Sequence, residues 1–551
     1  MVHFFDFPRE IRDLVYDHYV TVKGGYILDF DSNTLRGAGN EPLDLAFIYT
    51  CKKAASDLDG LPLSLNTLTF STIYSEKHRT TAGRFNLMVE RLNWQRGREL
   101  DAICLNDGIG SDEVWAELLE AHPKFAPYLT LLRNRKANFN FAHVADINVG
   151  PDGSCGETPS VFRNFLHSAL QMILYHRQQP DTKQSRDRKN CYADFKSSIG
   201  LESLVNLNPN PWAVPSREWL EAVISNTDCW VESDINRNWS FSRPGHQVSK
   251  LKHRYSAAAV AIRFLESMSH AARMGIRRIV LNEDWKAVGF AECHAMGLIP
   301  YCQENSLLFV DRRVDMWRTV FQTTTIFGSK DPVMPPKDDD SLPAHQISYR
   351  AAVWITEAVE LANAGMPRGS FALTFEGDST CANIFQTVIQ RDAAWQRAID
   401  LCLRRKKLPE LPWDVRRENY TTSSPLQTLE DNRWYILEDF PRAMVDIVAG
   451  RSVVKCNFPL DGSWNGLCDV GQIIQTNQWL TMANWKAAWF SRVCQDFQPD
   501  APSMRWVQML SETSLETVLP LSRADEDDWM SREGFAVDIY ELGLSESDTE
   551  P

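Results

Sequence analysis

Apolar residues recur at helical spacing near the start of the chain, where Ile11, Leu14, Val15 and Tyr19 form one stripe within residues 7–20. Arg9 and Asp13, four positions apart, face each other on the polar side. Pro8 suits the first helical position, where its missing N–H costs nothing, and Glu10 then falls at the third, within reach of the N-cap amide. The pattern predicts a short amphipathic helix whose apolar row either packs on the body of the protein or docks a partner.

Further along, the period changes repeatedly. Gly25-Tyr26-Ile27-Leu28-Asp29-Phe30 reads as a strand and Arg36-Gly37-Ala38-Gly39-Asn40 as a flexible segment. Residues 73–135 look mostly helical, with breaks near Pro123 and Pro127, and another helix runs from Val161 to Leu174. Residues 178–190 read as an exposed polar loop, and a short helix carries Trp219, Leu220 and Val223. Three segments then share one order of helix, glycine and strand. In the first, a face of Val260, Phe264 and Met268 leads to a left-handed stop at Gly275 and the strand Arg278-Ile279-Val280-Leu281. The second runs through Val353, Trp354 and Val359 to Gly365 and Phe371-Ala372-Leu373-Thr374-Phe375. The third joins Met444–Val448 through Gly450 to residues 452–458. Such units predict a sheet covered by helices.

The first helix, with its apolar-Pro-x-Glu-Ile-Arg pattern, resembles the opening of the F-box-like segment common in filamentous-fungal proteins. The resemblance continues through Leu45–Leu58, around Cys51-Lys52-Lys53, and ends at Asn66–Phe70, covering residues 4–72. It implies a helical module that binds a Skp-type adaptor and tethers a substrate receptor to a cullin ubiquitin ligase. On that resemblance Pro8, Ile11, Leu14 and Val15 would form the adaptor-binding surface.

With 551 residues the chain exceeds one ordinary hydrophobic core, so several domains or one large composite are expected. Its 44% hydrophobic share supports packed structure, and its net charge of −14 argues against general nucleic-acid binding. Arg404-Arg405-Lys406-Lys407 reads as the solvated end of a helix. The chain opens without a charged leader and contains no apolar run of about 18 residues, so it is expected to avoid membranes and to be cytoplasmic or nuclear. The 12 cysteines show no metal-ligand spacing, so packed thiols are expected, with no metal and no cofactor.

Candidate chemistry is sparse. Glu283, Asp284, Glu376 and Asp378 fall at the ends of two strands, where α/β sheets place ligands; as neighbours they would hold a cation or supply a general base. Acids there also serve as turn residues and N-caps, which is the preferred reading. Cys293-His294 is adjacent only in sequence, and Gly153-Ser154-Cys155-Gly156 reads as a surface turn. Met482, Trp485 and Trp489 share a helical face suited to core packing.

The expected fold is α+β, with an F-box-like helical module at 1–72, a mostly helical middle region at 73–249, a mixed α/β recognition region at 250–522, its helices covering a sheet, and an acidic, partly disordered tail at 523–551. The expected function is an intracellular interaction adaptor, a receptor for an unidentified protein substrate. An enzyme built on the four strand-end acids and a structural protein with no ligase link are the alternatives.

Overall fold

Runs rich in β-branched and aromatic residues become seven strands of one sheet: β1 Tyr26–Asp29, β2 Thr34–Gly37, β3 Leu68–Ser71, β4 Arg278–Glu283, β5 Phe309–Asp315, β6 Phe371–Glu376 and β7 Val454–Cys456. The structure is a computed structural model that describes residues 3–105, 112–135, 156–178, 200–226, 251–321, 342–408, 436–460 and 466–481, with short pieces at 484–485, 487–489, 496–497, 512–513 and 515. The lateral order is β2-β1-β3-β4-β5-β6-β7; β1 and β2 pair antiparallel and every other pair in this sheet is parallel. From β3 onward each strand adds on the same side of its predecessor. Right-handed crossovers that always step the same way carry their helices to one face.

Burial follows that rule. Leu68, Phe70, Ile279, Leu281, Val310, Val314, Leu373 and Phe375 alternate onto one face and are buried with the helices. The other face presents Thr69, Arg278, Asn282, Arg313, Thr374 and Lys455, all partly or fully exposed. A mixed α/β fold with helices covering a sheet is therefore what the chain adopts.

The N-terminal residues belong to this sheet. β1 pairs with β3 through Tyr26↔Leu68 and Ile27↔Thr69, and β3 pairs with β4, so residues 1–72 supply three of the seven strands and no sheet boundary falls at residue 72. The supposed flexible segment is corrected in part: Arg36 and Gly37 lie in β2, where Arg36 pairs with Asp29 at 3.0 Å. Gly25, at φ +75°, passes so close to Thr67 that a Cβ would stand 2.3 Å from the Thr67 carbonyl oxygen.

The middle region is helical at Glu76–Leu105, Asp112–Ala121, Ala126–Arg135 and Pro159–Gln178. It has a core of its own, in which Phe125 stacks on Phe165 at 4.0 Å. Glu357, on the sheet-covering helix Ala344–Asn363, accepts hydrogen bonds from Ser160 N (2.8 Å) and Ser160 Oγ (2.7 Å) at the start of the last of these helices. That contact joins the two cores.

The helix-glycine-strand units survive with two changes. The first helix splits into Ala257–Ser267 and His270–Gly275, because Met268 is extended and Ser269 caps the second piece. Gly365 and Gly450 take positive φ, whereas Gly275 ends its helix without entering the left-handed region. Trp485 and Trp489 are fully buried, as their spacing predicted, and Arg404–Lys407 are exposed at a helix end. Among the described residues no helix is long and apolar enough to cross a membrane. The loop 178–190 beyond Gln178, the turn Gly153-Ser154-Cys155, Met482 and the tail 523–551 lie outside the described residues.

Candidate functional site

Helix α1, Arg9–Val20, has two apolar rows, and its neighbours decide which one faces inward. Tyr16 and Val20 are buried in a cluster with Leu58, against Phe4, Phe47 and Leu61. Tyr19 turns toward Phe47, ring centroids 5.6 Å apart, and so leaves the stripe assigned to it from spacing alone. Pro8 is the N-cap itself, one position earlier than expected, and no side-chain cap bond forms there.

Asp57, at the end of helix α2 (Lys52–Asp57), sets the helix rotation. Its carboxylate receives the Tyr16 hydroxyl at 3.1 Å, Arg12 Nη2 at 3.2 Å and Arg9 Nη1 at 3.0 Å. Arg12, buried although charged, also donates to the Phe5 and Phe7 carbonyls at 3.3 and 3.2 Å. Burial, and then the bond to Asp57, push the Tyr16 hydroxyl above its ordinary pKa. At the far end, the Val20 carbonyl accepts from Asn66 Nδ2 (2.9 Å) and the Tyr26 hydroxyl (3.2 Å), so an orphan of the helix terminus is satisfied by the sheet. Arg9 and Asp13 pair at 2.8 Å as their spacing predicted.

With Tyr16 and Val20 fixed inward, the other row faces solvent. Phe7 is 43% exposed, Ile11 46%, Leu14 66% and Val15 46%, and Pro8 is exposed beside them. The structure thus leaves Pro8, Ile11, Leu14 and Val15 on one open apolar surface of a helix anchored at both ends. Sequence reasoning missed Asp57 and Arg12, which lie 45 positions apart and whose pairing has no local signal.

The four acids go to separate tasks. β5 lies between β4 and β6; Glu283 is in register with Val314 and Val314 with Phe375, so Glu376 points to the opposite face. Glu283 is buried, receiving Arg312 Nε and Nη2 at 3.0 and 2.7 Å and the Ala257 and Ala258 amides at 3.0 and 3.2 Å. It closes the N-terminus of the helix Ala257–Ser267 from the neighbouring strand. Asp284 accepts from Thr72 N at 3.2 Å, and burial raises its carboxyl pKa. Glu376 reaches Arg313 at 3.8 Å, and Asp378 is the N-cap of Ser379–Ile384, bonded to Cys381 N at 2.9 Å. Among the described residues no group of three His, Cys, Asp or Glu could hold a metal ion.

Cys293 and His294 are both buried, and burial pushes the thiol up to about 12 and the imidazole down to about 3. The imidazole bridges Ser256 Oγ (2.7 Å from Nδ1) and the Gly289 carbonyl (2.7 Å from Nε2). Ser256 Oγ also accepts from Ala259 N, so the contact is a sealed cap and not an accessible nucleophile. Compared with protein-family models, with curated proteins and with solved structures, the chain gives no significant match.

Proposed function

We propose that α1 is a docking helix for a Skp-type adaptor, and that the body behind it is a substrate receptor carried to a cullin ubiquitin ligase. One observation supports this reading above the others: an open apolar row at Phe7, Ile11, Leu14 and Val15 on a helix held from behind by Asp57 and Asn66. Surface rows of this kind mark interaction sites, and each such side chain contributes on the order of 1–3 kcal/mol when a partner covers it. Anchoring α1 to the sheet also fixes the angle between adaptor and body, as a receptor requires. The test is a titration of the full chain with a purified Skp-type adaptor. The expected result is a saturable complex that Leu14→Asp weakens tenfold or more without lowering the melting temperature. Absence of a complex, or binding indifferent to Leu14→Asp and Ile11→Asp together, overturns the proposal.

A further inference from the structure

The sheet face that carries Thr69, Arg278, Asn282 and Arg313 leaves these four residues partly or fully exposed, while Val280, Asp311 and Ala372 on the same face are buried. On that face, where β3, β4 and β5 meet the turn that joins α1 to β1, lies a groove of about 470 Å³. Register sets its floor in rows. Thr69 lies beside Val280, and Asn282 lies beside Arg313. Leu65, 43% exposed, forms part of the wall.

The charged residues lining the groove are Arg278 and Arg313, with no carboxylate among them. Both guanidinium groups converge from either side on one oxygen of Asp311, at 3.4 and 3.1 Å, and that carboxylate is buried outside the lining. Two cations therefore share one close anion. Glu376 approaches Arg313 only at 3.8 Å and also lies outside the groove. Arg278 uses Nη2 on Asp311 and is half-exposed, so it keeps N–H donors for a second acceptor.

We propose that this groove receives an extended segment of a partner protein in which an acidic side chain neighbours an apolar one, the acid meeting Arg278 and Arg313 and the apolar group meeting Leu65 and Val280. An open groove crossing several strands suits an extended chain, and paired arginines suit its carboxylate. This deepens the receptor reading and rests on it for the partner's identity as substrate; the segment's binding itself needs no adaptor.

The experiment is fluorescence anisotropy of the full chain with a fluorescein-labelled decapeptide of alternating Leu and Glu, beside Leu/Lys and Ser/Glu counterparts. The Leu/Glu peptide should bind saturably and the other two at least tenfold more weakly. Arg278→Glu with Arg313→Glu should weaken Leu/Glu binding tenfold or more, and raising NaCl from 0.05 to 0.5 M should weaken it in the wild type. If the double reversal fails to fold, Leu65→Asp on the exposed wall carries the same test. Adaptor affinity should be unchanged in these variants, and Leu14→Asp should leave peptide binding unchanged, so the two readings fail separately. No saturable binding of the Leu/Glu peptide, equal binding of the Leu/Lys peptide, indifference to charge reversal, or full displacement by millimolar inorganic phosphate each overturns the assignment.

Discussion

Replacing Asp57 by Ala removes the carboxylate on which Arg9, Arg12 and Tyr16 converge. Arg9 is exposed, and its share is small because solvent screens it. Arg12 is buried; without Asp57 it keeps the Phe5 and Phe7 carbonyls but loses its counter-ion, while the buried Tyr16 hydroxyl loses its acceptor. A buried cation stripped of its partner costs about 3–5 kcal/mol and a lost hydroxyl bond about 1 kcal/mol, less what water and the two carbonyls restore, leaving about 2–3 kcal/mol. Because the carboxylate ties α1 to α2 and touches no strand of the sheet, the loss should appear as local opening of α1 rather than global unfolding. Amide hydrogen exchange reads this directly: 2 kcal/mol corresponds to roughly 30-fold faster exchange within residues 12–20. Amides of β4 and β5 should be unaffected. Unchanged protection of α1, or equal loss of protection in the central strands, would refute the reasoning.

Two further outcomes follow from buried groups and backbone geometry. His294 is held neutral by burial, with a pKa near 3 against an ordinary 6.5, so the unfolded chain takes up a proton that the folded chain refuses. Its contribution is full above pH 6.5 and is lost as pH falls toward 3; between pH 6.5 and pH 5 the wild type should lose about 2 kcal/mol more than His294→Gln, as urea unfolding at both pH values would show. Equal pH dependence in the two proteins would count against a buried neutral imidazole. Gly25→Ala places a methyl group 2.3 Å from the Thr67 carbonyl oxygen at a positive φ, so it should cost about 2 kcal/mol or more and lower the melting temperature; a neutral substitution would mean that β1 does not cross Thr67 as described.

Local pattern alone determined several elements. The amphipathic spacing of residues 9–20, the strand-like run at Tyr26, and the three joins of helix, glycine and strand were legible because near neighbours in the chain decide helix and strand periodicity. The pairing of β1 with β3 and of β3 with β4 fits the rule that apolar strands need a covering partner. Only tertiary structure decided the rest. α1 carries two apolar rows, and the choice of Tyr16 and Val20 as the inner one was made by Asp57, Asn66 and Phe47, residues remote in the chain. The sequence put Glu283 and Glu376 at strand ends but could not say that β5 lies between them or that register turns them to opposite faces. Cys293 drew attention beside His294, yet the imidazole's partner is Ser256, brought there by the packing of a helix onto β4. The groove of Arg278 and Arg313 had no local signal, because it arises where strands from distant segments lie side by side. Periodicity is a property of a few adjacent residues, whereas the convergence of side chains depends on strand order and register, which long-range burial selects.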